Sequence, residues 1–75
     1  MTPRLTVRQE QVLSLVAHGK TDKEIAVILG IGEGTVNTHM NMLMERLGAD
    51  SRAHAVALRF LKVLPMVTLS SKTNT

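Results

Sequence analysis

Cysteine, tryptophan and tyrosine are absent from the 75 residues, and Phe60 is the single phenylalanine. Without cysteine there is no disulfide framework and no thiolate metal site, a composition suited to a reducing, cytoplasmic compartment. Long apolar runs are also missing. The stretch Ile25 to Leu29 is typical of the longest, far short of the roughly 20 residues needed to span a bilayer, so no membrane partner is expected. Met1 to Arg8 carries no apolar segment behind Pro3 and Arg4, and a signal peptide is not expected there. A chain of this size makes one domain and buries only about 60% of the surface its unfolded form exposes. A large catalytic cleft does not fit in such a body.

What is present is positive charge. Nine Lys and Arg against six Asp and Glu leave a net charge of +3, with a pI near 10.0. A small basic domain points toward a polyanionic partner, most often nucleic acid, although many ordinary small domains carry as much.

Apolar residues recur at helical spacing almost throughout, and strand-type alternation is lacking. The reading is all-α. Thr6 caps a first helix, with Gln9 three positions on completing a capping box. Val12, Leu13, Val16 and Ala17 form its apolar stripe, and Gly19 stops it. Thr21 and Glu24 make a second capping box for a short helix whose apolar part is Ile25, Ala26, Ile28 and Leu29, and Gly30 ends it. About two turns are not stable alone, so this helix must pack on its neighbours. Gly30-Ile31-Gly32 is a tight turn with Ile31 as its anchor. A third helix runs from about Glu33 to Leu47, with Val36, Met40, Leu43 and Leu47 on one face, and Gly48 stops it. Ser51 caps a fourth helix from Arg52 to about Val63. Pro65 bars further regular helix. Residues 1–64 are thus expected to form the domain, and the polar stretch 65–75 a flexible tail.

The second and third helices, joined by three or four residues, have the form of a helix-turn-helix. In that motif the second member enters the major groove and presents its N-terminal half to base edges. Asn37, Thr38 and Asn41 stand on the outer face of the third helix. Asparagine can bond bidentately to adenine, and the threonine methyl can meet the thymine methyl. Asn37 and Asn41, four apart, point the same way.

Leu5-Thr6-Val7-Arg8, Val12-Leu13, Lys23-Glu24-Ile25-Ala26, Leu29-Gly30-Ile31, Gly34-Thr35-Val36, His39, Arg46-Leu47-Gly48 and Ser51-Arg52-Ala53 follow one another here. In that order and spacing the sequence resembles the LuxR-type DNA-binding domains. These are output domains of many bacterial response regulators and quorum-sensing receptors. The resemblance covers about Leu5 to Leu61. It implies a four-helix, LuxR-type fold and a transcription regulator that binds inverted-repeat DNA as a dimer. It places Asn37, Thr38 and Asn41 at base-contacting positions and Thr35 at a phosphate-contacting one. Thr21 and Lys23 also match phosphate contacts. The fourth helix matches the usual dimer contact, beginning with Ala53, Val56 and Ala57. RNA polymerase is a further partner that such a regulator implies.

The sequence also departs from that pattern. Relatives commonly carry Lys or Arg where Asn37 stands, and a basic or polar residue in place of Asn41. Serine is their usual cap where this chain has Gly32. Glu33, Glu45 and Arg46 leave the third helix with a net negative charge. Fewer cations release fewer counterions, so weaker binding with a shallower salt dependence is expected, on A·T-containing half-sites.

Each of these residues has a plainer reading. Without the resemblance, Asn37, Thr38 and Asn41 read more readily as a solvated helix face. Lys23 reads equally as a surface lysine. Arg52 reads first as a brace for the loop from Gly48 to Ser51 and second as a phosphate contact. His39, beside the core face, reads first as a packing residue and second as a phosphate contact. His18, His39 and His54 lack metal-ligand spacing. Among the methionines, Met40 reads as core, Met44 as at or near it, and Met42 as facing elsewhere, so packing is favoured over a copper site. No catalytic constellation or nucleotide loop is present, since Gly30, Gly32 and Gly34 do not follow a strand. Neither enzymatic activity nor a cofactor is expected.

The fourth helix carries Ala53, Ala55, Val56, Ala57, Leu58, Phe60, Leu61, Val63 and Leu64, apolar around more of its girth than one buried face requires. A second copy covering it through Ala53, Val56, Ala57 and Phe60 is favoured over full enclosure. Two half-sites would then lie about ten base pairs apart. A contrasting reading keeps the fold and discards the DNA. In it, the chain is an interaction module that pairs with another regulator through the fourth helix.

Overall fold

A computed structural model describes residues 4–61, and these form four helices: α1 (Val7–Ala17), α2 (Asp22–Leu29), α3 (Glu33–Leu47) and α4 (Arg52–Phe60). The described residues contain no strand, and no helix among them is long and apolar enough to cross a membrane. Helix α4 ends at Phe60 with Leu61 as its cap, short of the expected Val63; residues 62–64 and the expected tail 65–75 lie outside the described residues.

Local chemistry sets the helix starts. At α1, Gln9 N–H donates to Thr6 Oγ1 (3.1 Å) and Thr6 N–H donates back to Gln9 Oε1 (2.9 Å). Thr21 and Glu24 repeat the arrangement at α2, at 3.2 and 2.8 Å. Ser51 Oγ accepts from His54 N–H at 3.0 Å to start α4. Such caps satisfy amide donors that the first turn leaves unpaired. The start of α3 differs, because Gly32 offers no side-chain cap.

The stops of α2 and α3 share one device. Beyond α2, Gly30 sits at φ 69° and Ile31 N–H donates to Ala26 C=O at 3.0 Å. Beyond α3, Gly48 sits at φ 70° and Ala49 N–H donates to Met44 C=O at 2.8 Å. The left-handed backbone folds the chain back over the last turn, where a Cβ would be strained. At Gly30 the same turn also sets the joint between α2 and α3.

Val12, Leu13, Ile25, Val36, Met40, Leu43 and Ala55 are essentially buried, with Ala26 nearly so. Leu5, Leu15, Val16, Leu29, Ile31, Met44, Leu47 and Val56 pack around them. All four helices therefore contribute to one core. Two expected core positions fall outside it. Ala17 is exposed at the end of α1, and Ile28 is 53% exposed. At about 100° per residue, the buried arc of α2 is centred between Ile25, Ala26 and Leu29, and Ile28 stands beyond its edge. Gln9, expected only as a cap partner, is itself buried. Its capping bond to Thr6 satisfies its amide oxygen, as burial of a polar group requires.

Candidate nucleic-acid interface

Helix α3 divides cleanly. Val36, Met40 and Leu43 are buried, with Leu47 half-buried on the same face. Opposite them Asn37, Thr38 and Asn41 are exposed, as is Thr35. The three buried side chains fix the rotation of the helix, so the polar trio is presented outward by the packing of the core. Thr38 Oγ1 donates to Gly34 C=O at 3.0 Å. Its proton is thereby used within the helix, and its hydroxyl oxygen and methyl group are what a partner can meet. His39 is half-buried at the side of the core face.

Thr21 and Lys23 are exposed at the start of α2. Thr21 Oγ1 accepts from Glu24 N–H. Glu24, expected only as a capping residue, brings its exposed carboxylate to the same corner as Lys23. The Thr21 backbone N–H, and next the Thr21 hydroxyl, hold that carboxyl below its ordinary pKa. It is thus an anion beside the candidate phosphate contacts.

Arg52 occupies a different place from the expected loop brace. Its two terminal nitrogens donate to the two carboxylate oxygens of Asp22 at 2.5 and 2.8 Å. The guanidinium is committed to the first residue of α2, and that hydrogen bond, assisted by charge, lowers the Asp22 pKa against the opposing effect of burial. A second pair had no sequence signal. Arg59 of α4 grips Glu10 of α1, with Nη2 at 2.6 Å from Oε2 and Nε at 3.1 Å from Oε1. Both are bidentate fork contacts. Asp22 and Arg52 stand 30 residues apart in the chain, and Glu10 and Arg59 stand 49 apart. Arg46, the one cation late in α3, donates through Nε to Arg4 C=O at 2.9 Å.

The four expected dimer residues do not share one environment. Ala53 and Phe60 are exposed, Ala57 is half-buried, and Val56 packs against the core. Leu58 and Leu61, at 40% and 45% exposure, widen the apolar surface beside Phe60. The Arg59 guanidinium lies 5.8 Å from the Phe60 ring centroid, within cation–π range. Among the described residues no group of His, Asp or Glu is arranged to hold a metal ion.

Residues 3–59 match the family described as bacterial regulatory proteins, luxR family. The transcriptional regulatory protein DesR of Bacillus subtilis is 46% identical over 52 residues, which are 69% of this chain and 26% of DesR. The spore germination protein GerE of the same organism is 44% identical over 54 residues, covering 72% of this chain and 73% of GerE. Among solved structures, the Vibrio cholera VqmA–ligand–DNA complex superposes with a TM-score of 0.71 at 34% identity, over 77% of this chain and 25% of that one. The chain thus spans about a quarter of DesR and of VqmA.

Proposed function

Because the chain belongs to the luxR family of bacterial regulatory proteins, we propose that it is the sequence-specific DNA-binding module of a cytoplasmic transcription regulator. It places α3 in the major groove and binds an inverted repeat as a homodimer. The observation that carries this reading is the division of α3, with its apolar side buried and Asn37, Thr38 and Asn41 exposed opposite. A helix fixed in rotation and bare of structural obligations on its polar side can bring amides to adenine edges. Thr35, His39, Thr21 and Lys23 flank that face as phosphate contacts, which set position and carry no sequence information. Arg52 acts one step removed, by holding the start of α2 through Asp22. The exposed side of α4 pairs the two copies, and RNA polymerase is a further partner of the bound dimer. That the similar VqmA was solved in complex with DNA supports the reading.

A second reading has its own support. Helix α3 has no Lys or Arg before Arg46, and Arg46 is engaged by the Arg4 carbonyl. A recognition helix this poor in cations also suits a protein-interaction module of the same fold that pairs through α4.

Selection from a randomised duplex pool at low salt separates the two. Recovery of an inverted repeat supports DNA readout by a dimer, and no retention by folded protein supports the interaction module. On a recovered site, Asn41→Ala is expected to cost about 1–3 kcal/mol while random DNA binds as before. An equal loss on both duplexes would contradict base readout. For the α4 contact, the exposed Ala53 is a cleaner probe than Val56, which the core also needs. Ala53→Glu is expected to sediment as a monomer. A dimer in that variant removes the assignment.

A further inference from the structure

Two rows of side chains run along the outward side of α3. Asn37 and Asn41 form one, four residues apart. Thr38 and Met42, also four apart, form the next, about 100° round the helix. The first row is polar. The second is not, for two reasons. Thr38 has turned its hydroxyl proton inward to the Gly34 carbonyl. Met42 is 52% exposed, whereas Met40 on the same helix is buried and Met44 packs against the core. A flexible, polarizable thioether held in water on a polar face contributes nothing to this core. It is suited to an apolar partner of adjustable shape.

We propose that Met42 is a specificity-determining residue that reads thymine. Together with the Thr38 methyl one turn earlier, its side chain forms an apolar strip for the C5-methyl groups of thymine. That strip lies beside the amide row that reads adenine. The proposal rests on the DNA-binding reading above. Thymine's methyl is the apolar group that base edges present in the major groove. Cytosine would instead bring its N4 amino group to the thioether, where a polar donor loses its water and gains only a weak acceptor. The outward rows contain no Arg or Lys for the O6 and N7 of guanine. Both rows therefore favour the same base pair, one from each strand.

Deoxyuridine tests this directly, since it keeps every hydrogen-bonding group of thymine and lacks only the methyl. The duplex recovered by selection is remade with deoxyuridine at each thymine in turn. Its affinity is then measured for the native protein, Met42→Ala and Met42→Gln. The native protein is expected to lose about fourfold at one or two positions, the factor that one buried methyl group is worth. At one of those positions both variants should bind the thymine and uracil duplexes alike. Exposure of Met42 leaves the fold of both variants intact. Thr38→Ser, which keeps the bond to Gly34 and removes the methyl, should lose the penalty at a neighbouring thymine. Sequence-selective binding with no uracil penalty, or a penalty unchanged in the Met42 variants, overturns the proposal and leaves DNA binding standing. Failure to retain any duplex overturns both.

Discussion

Helices α3 and α4 both offer an exposed face, but they are held to the molecule by different forces. Three side chains of α3, Val36, Met40 and Leu43, are buried outright, while α4 buries only Ala55 so fully. What α4 lacks in burial it has in paired charge, with Arg52 on Asp22 at one end and Arg59 on Glu10 at the other. Burial is non-directional and little affected by salt. Partly exposed ion pairs are directional, screened by salt and dependent on pH. The helix proposed to read DNA thus rests on the part of the fold that changes least with conditions. The helix proposed to pair copies rests on the part that changes most.

Leu43→Ala tests the first half of that contrast and should have the largest effect. Truncating a fully buried leucine costs about 2–5 kcal/mol, enough to unfold much of a small domain, as thermal denaturation followed by circular dichroism would reveal. A loss under about 1 kcal/mol would mean that α3 is held otherwise. Arg52→Met addresses the second half. The pair is partly exposed, so a cost of about 1 kcal/mol is expected. The gap in Tm between native and variant should narrow as salt is raised. A gap independent of salt would assign the effect to packing of the arginine stem.

The smallest effect concerns acid. The Arg52 hydrogen bond depresses the folded-state pKa of Asp22, so the pair's stabilisation is complete above the unfolded value of about 3.9. It is lost as pH falls through the lower folded value. Tm should therefore decline in acid, and less steeply in Asp22→Asn. Glu24, depressed by its cap, retains part of the decline in that variant. Identical slopes for the two proteins would show that Asp22 is not linked to folding.

Whatever depends on residues three or four apart was legible in the sequence. The capping boxes at Thr6 and Thr21, the serine cap at Ser51 and the glycine stops are all local, and so is the buried stripe of α3. The outward trio followed from that stripe. What depends on tertiary placement was hidden. Nothing near Arg59 points to Glu10, because their meeting requires α4 to lie along α1. Nothing near Arg52 points to Asp22 either, for the same reason. The apolar pattern of α2 makes Ile28 look like core, because the width of the arc that neighbours cover on α2 is not written in α2. Val56 looked like interface because a helix apolar on most sides does not declare which side the core takes.

The α3 core face is attached through residues that a DNA partner would not touch, while Asn37, Asn41 and Met42 take no part in the core and Thr38 bonds only within its own helix. Substitutions at such exposed positions usually change stability by less than about 0.5 kcal/mol. The outward residues of α3 can therefore drift, exchange or be rewritten while the scaffold beneath stays the same. In evolutionary terms the helix is a cartridge: a lineage could acquire new target sequences by altering a few outward side chains, without first finding a compensating change in the core. An engineer could graft a different set of four onto Asn37, Thr38, Asn41 and Met42 on the same basis.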